Sequence, residues 1–157
     1  MIVIADTSPL NYLILIGHVE ILKALYSEVV IPPAVHDELL HLAAPEPVKA
    51  WAKALPQWIE IRTPSRLNLD LDIDLGNGER EAIALAYAAG RESLLLIDEQ
   101  LGRREATRLG LSVAGTLGIV DKAAKQGLLN LHEAIEKLRA TNFKAADALL
   151  NQFLGGA

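Results

Sequence analysis

SLLLIDE at residues 93–99 repeats the pattern with which the chain opens, IVIAD at residues 2–6. Each is an apolar run that does not alternate with polar residues and that ends on an aspartate, Asp98 or Asp6. A strand with one wet face alternates. One that is apolar throughout is covered on both faces, as in a parallel sheet flanked by helices. The segments between and beyond these runs fit that frame. EVVIPP (28–33) reads as a short β-branched strand stopped by two prolines, and WIEIRT (58–63) and LSVAG (111–115) as further strands. Helices are predicted at 10–16, with Pro9 as first helical position, and at 19–26, 34–42 and 48–55. Val35, Leu39 and Leu42 form the apolar stripe of the third of these, with Glu38 beside it. An alanine-rich helix follows over 79–89, closed by Gly90, then one over 100–109 before Gly110 and one capped by Thr116 and ended by Gly127. Two amphipathic helices, roughly 131–140 and 144–154, complete the chain. The order predicts an α/β fold with a central, mostly parallel sheet and helices on both faces.

Composition narrows the field. At 157 residues, without repeats or a linker, residues 1–157 read as one domain with the C-terminal helices packed on it. Aromatics make up only 4%, so the core must be built from Leu, Ile, Val and Ala. No cysteine is present, which excludes disulfides and thiolate metal sites and fits a cytoplasmic protein. No apolar run approaches the roughly 20 residues that cross a bilayer, so no membrane association is expected. The N-terminus lacks a basic segment and Asp6 interrupts its apolar run, which argues against a signal peptide. A formal net charge of −5 argues against tight sequence-blind binding of duplex DNA.

Ligands of open parallel sheets bind beyond the carboxyl ends of the strands. Asp6 and Asp98 stand at two such ends, and Glu38 and either Glu79 or Glu81 lie near helix starts. Two like charges about 4 Å apart repel by a few kcal/mol at intermediate dielectric, a cost that a divalent cation removes. An all-carboxylate donor set suits Mg²⁺ or Mn²⁺ better than zinc. Such an ion, or a pair of ions, activates water and stabilises a phosphodiester under attack. Each acid also has a structural use. Asp6 and Asp98 can cap the helices that follow, Glu38 can face solvent, and Glu79 suits a first helical turn. Glu79 and Glu81 point in widely separated directions, so only one of them can face a given point squarely. The coincidence of two strand-end aspartates is what favours a site.

In four stretches the sequence resembles the PIN-domain family of metal-dependent ribonucleases: IVIADTSPLNYL, IPPAVHDEL, GEREAIALA, and LLIDEQLGRREA followed by GLSVAGTLGIV. They run in the family's order from residue 2 to about residue 127. The resemblance implies a three-layer α/β/α Rossmann-like sandwich with an acidic pocket at one edge of a parallel sheet. It places the catalytic and metal-holding carboxylates on Asp6, Glu38, Glu81 and Asp98, with Glu79 as accessory or substitute and Ser8 supporting Asp6. One or two Mg²⁺ or Mn²⁺ ions would serve hydrolysis of single-stranded RNA to 5′-phosphate and 3′-hydroxyl ends. The chain would then be the toxin of a type II toxin–antitoxin pair, a homodimer with an antitoxin protein as partner. It departs from the toxin-like members in carrying glutamate at 81, where they usually carry aspartate, and IDEQLGRRE after its fourth strand. GExEAIALA and GTLGIV mark a separate subgroup. Arg103, Arg104 and Arg108 follow Asp98 and are candidates to track an RNA backbone, or else a solvated face paired with Glu105.

Asp70, Asp72, Asp74 and Glu81 nearly match a calcium loop, but Leu75 stands where the sharp turn needs glycine. The alternation of Leu69, Leu71, Ile73 and Leu75 reads better as an extended, half-buried segment. A P-loop and a dinucleotide fingerprint are absent. His36 and His41 lack the spacing of a helical zinc pair and read as surface residues. The alternative from another class is a non-catalytic PIN-fold module that binds protein or nucleic acid. Retention of all four carboxylates weighs against it.

Overall fold

Strand β1 (Ile2–Ala5) is the middle strand of a parallel sheet in the order β3-β2-β1-β4-β5, with β2 at Val29–Ile31, β3 at Ile59–Ile61, β4 at Ser93–Leu96 and β5 at Ser112–Ala114. The computed structural model describes residues 1–65, 69–143 and 151–152. The expected helix at 144–154 therefore lies almost wholly outside the described residues, as do residues 66–68. Chain order runs outward from β1 to β2 and β3, then returns to the other side of β1 for β4 and β5. The reversal falls between β1 and β4, whose register runs from Ile2 opposite Ser93 to Ala5 opposite Leu96. A crevice at the carboxyl end of this strand pair is the expected ligand position of such a sheet.

Strand residues alternate between two apolar clusters, which explains why the runs look continuous in sequence. Val3, Ala5, Val29, Ile31 and Leu96 face one cluster. It is completed by α1 (Thr7–Leu15), α2 (Ile21–Tyr26), α3 (Pro33–Leu39), α4 (Glu46–Lys53), α7 (Thr116–Lys125) and α8 (Leu131–Arg139). Ile4, Val30, Leu95 and Ile97 face the other, covered by α5 (Asn77–Ala89) and α6 (Gln100–Arg108). The result is the three-layer α/β/α arrangement expected. Among the described residues no helix is long and apolar enough to cross a membrane.

Three details differ from the sequence reading. Helix α1 starts at Thr7, which makes Pro9 its third residue and not its first. Helix α3 stops at Leu39, ahead of the turn before Pro45, so Leu42 leaves the apolar stripe and is 90% exposed. His36 is no free surface residue: its Nε2 lies 2.9 Å from the Ala52 carbonyl and ties α3 to α4. The segment before α5 does pack on its leucines, with Leu75 buried and Ile73 turned outward at 87% exposure. Its carbonyls are occupied by arginines, Asp70 by Arg108 at 2.7 Å and Asp72 by Arg80 at 2.6 Å. That clamping suits an extended strap and not a calcium loop.

Candidate active site

Asp6 occupies the N-cap position of α1 and yet its side chain makes no cap hydrogen bond. A capping carboxylate bonds the amide of the second or third helical residue; here the third, Pro9, has none, and the amide of the second, Ser8, receives no bond from Asp6. The side chain is buried, only 5% of the residue being exposed, and its Oδ1 has no partner. Burial raises its pKa from 3.8 to about 7, against the Thr7 amide, with Glu79, Glu38 and Asp98 adding repulsion. Asp6 is therefore held at the end of the middle strand at electrostatic expense, in the field of three further acids. Its backbone amide bonds the Leu96 carbonyl at 2.9 Å, extending the β1–β4 ladder into the crevice.

Asp98 follows β4 by two residues and caps α7 from outside that helix. Its Oδ1 accepts from the Thr116 amide at 2.7 Å and its Oδ2 from the Thr116 hydroxyl at 2.6 Å. Thr116, read as a cap, is instead the first residue capped, and Gly115 precedes it. Burial raises the Asp98 pKa, opposed by the two Thr116 bonds and the nearby Arg103 charge.

Glu38 and Glu79 come from α3 and α5. Glu38 Oε2 accepts from the Thr7 hydroxyl at 2.5 Å and Oε1 from the Gly78 amide at 3.2 Å. Glu79 reaches back to the Gly76 amide with Oε1 at 3.4 Å, a weak bond, while Oε2 is buried without a partner. Its pKa rises from 4.5 to about 7 through burial and through the neighbouring Glu99, with Glu38 adding to it and the Gly76 amide opposing. The structure holds Glu79 and Glu81 differently. Glu79 shares the field of Asp6 and Glu38, while Glu81 Oε1 accepts from the Ala34 amide at the start of α3, 3.1 Å away. Helix α5 begins at Asn77, two residues ahead of the expected start, with Glu79 in its first turn.

Three glycines that the sequence reading passed over make room for this centre. An ideal Cβ on Gly78 would stand 2.6 Å from Glu38 Oε1, on Gly102 2.7 Å from Glu79 Oε2, and on Gly115 3.0 Å from Asp98 Oδ1. The first two approaches are closer than side-chain carbons and carboxylate oxygens tolerate; the third is tight, and the nearest atom to Gly115 is Arg103 Nη1 at 2.7 Å. Each of the three acids is packed against a missing side chain. GExE, LGRR and AGT carry these glycines, but nothing in those letters says which acid each one faces.

The other expected residues divide. Ser8 is half-buried in the first turn of α1, with no side-chain hydrogen bond to the described residues. Arg103 folds inward, Nη1 donating to the Ile97 carbonyl at 3.1 Å beside Gly115 and Asp98. Arg104 is exposed. Arg108 is bound to Glu105, 2.9 Å, and to the Asp70 carbonyl, the paired reading of that residue. A cleft of about 330 Å³ opens next to Thr7 and Glu38, walled by Leu39, Ala44, Pro45 and Val48.

The donor set is all oxygen, and two of its oxygens, Asp6 Oδ1 and Glu79 Oε2, are buried and orphaned. A hard divalent cation satisfies such oxygens and removes the repulsion that lifts both pKa values. By that test the residues fit a Mg²⁺ or Mn²⁺ centre. As they stand, no three His, Asp or Glu side chains among the described residues gather closely enough to form a finished ligand set.

A family model described as PIN domain matches residues 2–157, nearly the whole chain. No curated protein matches. PIN domains are in general nucleases and typically use divalent metals, and the match agrees with the parallel sheet and the strand-end aspartates. The chain belongs to the PIN-domain family.

Proposed function

We propose that this protein is a metal-dependent endoribonuclease whose centre is Asp6, Glu38, Glu79 and Asp98. The observation that carries the reading is the buried, uncapped carboxylate of Asp6 with its orphan oxygen, set among three other acids. These four residues would hold one or two Mg²⁺ or Mn²⁺ ions. Bound there, the metal supplies Lewis-acid chemistry that activates water and stabilises charge on a phosphodiester. The protein's own residues fix the donors. Thr7 and Gly78 orient Glu38, Thr116 takes both oxygens of Asp98, and burial keeps water from dispersing the field around Asp6. Without an ion, Asp6 and Glu79 can each hold a proton near neutrality, which limits repulsion until a cation takes its place.

Arg103 and Arg104 are our candidates for the phosphates flanking the cut. Arg108 is committed to Glu105. Single-stranded RNA as substrate, a toxin role against an antitoxin partner, homodimer formation and a cytoplasmic location rest on the motif resemblance. The single-domain reading rests on the lack of a linker and on the extent of the family match. The rival reading, a non-catalytic binding module, draws on the unfinished ligand set.

The test compares RNA cleavage by the wild type with Asp6→Asn, Glu79→Gln and Asp98→Asn, in Mn²⁺ and in chelator. Calorimetry measures Mn²⁺ binding in parallel. Cleavage and Mn²⁺ binding are expected to fall together in all three variants. Cleavage that persists in chelator, or in Asp98→Asn, overturns the mechanism. Mn²⁺ binding without any cleavage supports the module.

A further inference from the structure

Helices α3 and α5 cap each other. Glu38 of α3 accepts from the amide of Gly78, the second residue of α5, and Glu81 of α5 accepts from the amide of Ala34, the second residue of α3. Helix starts leave amides without intrahelical partners, and a side chain at the N-cap position normally serves one of them. Here the two N-cap residues are Pro32 and Gly76, neither of which has a side chain able to do so. The missing caps are supplied across the helix pair, once in each direction, by carboxylates that also suit the positive end of a helix dipole.

We propose that Glu81 is a positioning residue for Glu38. The two bonds, 3.2 and 3.1 Å long, cross the same helix pair in opposite directions, so each limits how far the helices can separate or slide. Gly78 shows how little slack the interface has, since a Cβ there would meet Glu38 Oε1 at 2.6 Å, Cδ at 3.1 Å and Oε2 at 3.2 Å. Glu38 reaches the acidic centre from a helix of only seven residues, whose first turn is anchored by Glu81. Loosening that turn moves the segment on which Glu38 stands, four residues beyond Ala34. Glu81 thereby influences the centre without donating to it. This bears on catalysis only if the nuclease reading above holds, but the coupling itself can be observed without activity.

Amide NMR on metal-free protein reads it directly. Glu81→Ala should shift the Ala34 amide, as its partner is gone, and should also shift the Gly78 amide in the direction seen in Glu38→Ala. Glu81→Gln keeps an oxygen acceptor and should leave Gly78 close to its wild-type position. Mn²⁺ affinity should fall about 10- to 100-fold in Glu81→Ala, the usual effect of losing a group that orients a ligand, and recover in Glu81→Gln. If Glu81→Ala does not fold, Glu81→Asp, one methylene too short for Ala34, carries the same comparison. A Gly78 amide that stays in place while Ala34 moves overturns the proposal. So does loss of Mn²⁺ binding in Glu81→Gln with Gly78 unmoved, which would make Glu81 itself a ligand. Should Asp6→Asn and Glu38→Gln both bind Mn²⁺ normally, the nuclease reading fails while the amide shifts still decide the coupling.

Discussion

Gly102 of α6 lies against the Glu79 carboxylate of α5, with its would-be Cβ 2.7 Å from Oε2 and 2.5 Å from Ile97 Cδ1. A methyl group there must displace a carboxylate, a fully buried isoleucine, or both. Gly102→Ala is expected to destabilise the fold by about 1–3 kcal/mol, the usual range for overpacking. It should also weaken Mn²⁺ binding more than an equally destabilising core substitution far from the centre, such as Ile135→Val. Thermal denaturation and calorimetry on both variants check this. Equal Mn²⁺ affinities would show that Glu79 is not held in place by Gly102.

Asp6 makes stability depend on pH with a sign opposite to that of an ion-paired aspartate. Its folded pKa, about 7, lies above the ordinary 3.8, so between those values the folded chain holds a proton that the unfolded chain has lost. This contribution is fully present below the unfolded value and is lost as pH rises through the folded one. Metal-free Asp6→Asn, which cannot ionise, should therefore melt above the wild type at pH 8. The difference should shrink toward pH 5. A gain of about 1 kcal/mol would appear as roughly 2–4 °C. A variant that melts below the wild type at pH 8 would contradict an ionised, unpaired Asp6.

The same two raised pKa values predict proton competition for the metal. Asp6 and Glu79, both near 7, must lose their protons for a cation to bind them. Mn²⁺ affinity should rise steeply between pH 6 and pH 8, and binding near pH 6 should release protons. Calorimetry in two buffers of different ionisation enthalpy measures that release. A flat affinity across this range would remove both residues from the binding site.

These tests turn on features of unequal visibility in the sequence. The middle strands were legible because burial on both faces leaves an unbroken apolar run, and their aspartates because a charge stops such a run. Glu38 was reachable only as a residue beside an apolar stripe. That Glu79, and not Glu81, stands in the field of Asp6 was hidden, because it depends on how α5 packs against the rest of the chain. Glu38, forty residues earlier, caps the Gly78 amide in the first turn of that helix. Gly78, Gly102 and Gly115 were hidden for the same reason: each is required by an acid on another segment, a tertiary constraint with no local periodicity. Asp98 looked like a cap for α6, which follows it, and proves to cap α7 across the sheet edge.

The arginines after Asp98 separate by what already holds them. Arg108 bonds Glu105 and the Asp70 carbonyl, while Glu105 Oε1 accepts from the Asp72 amide at 2.8 Å, so the pair fastens the strap before α5. Arg104 is exposed, and no hydrogen bond or ion pair to another described side chain involves it. Arg104→Ala is expected to weaken RNA binding and lower its salt dependence by up to about one ion, without changing the melting temperature. Arg108→Ala should do the reverse, lowering stability and sparing the salt slope. Fluorescence titrations of a short single-stranded RNA at several salt concentrations distinguish them. Equal salt slopes for the two variants would show that pairing with Glu105 does not withdraw Arg108 from the RNA.

Thr116 supplies both hydrogen bonds to Asp98, one from its amide and one from its hydroxyl. Thr116→Val keeps shape and amide but removes the hydroxyl, leaving Asp98 Oδ2 without its donor in a half-buried position. An acceptor stripped of its partner costs about 1–3 kcal/mol, and more when it is charged. Because the hydroxyl bond opposes the effect of burial, its loss should push the Asp98 pKa further up. The variant should therefore lose more stability at high pH than at low pH, where protonation relieves the unpaired charge. Loss of cleavage should follow the same pH trend if Asp98 must be ionised to act. Melting curves at high and at low pH test the first claim. An equal loss at both would mean that the hydroxyl contributes packing alone.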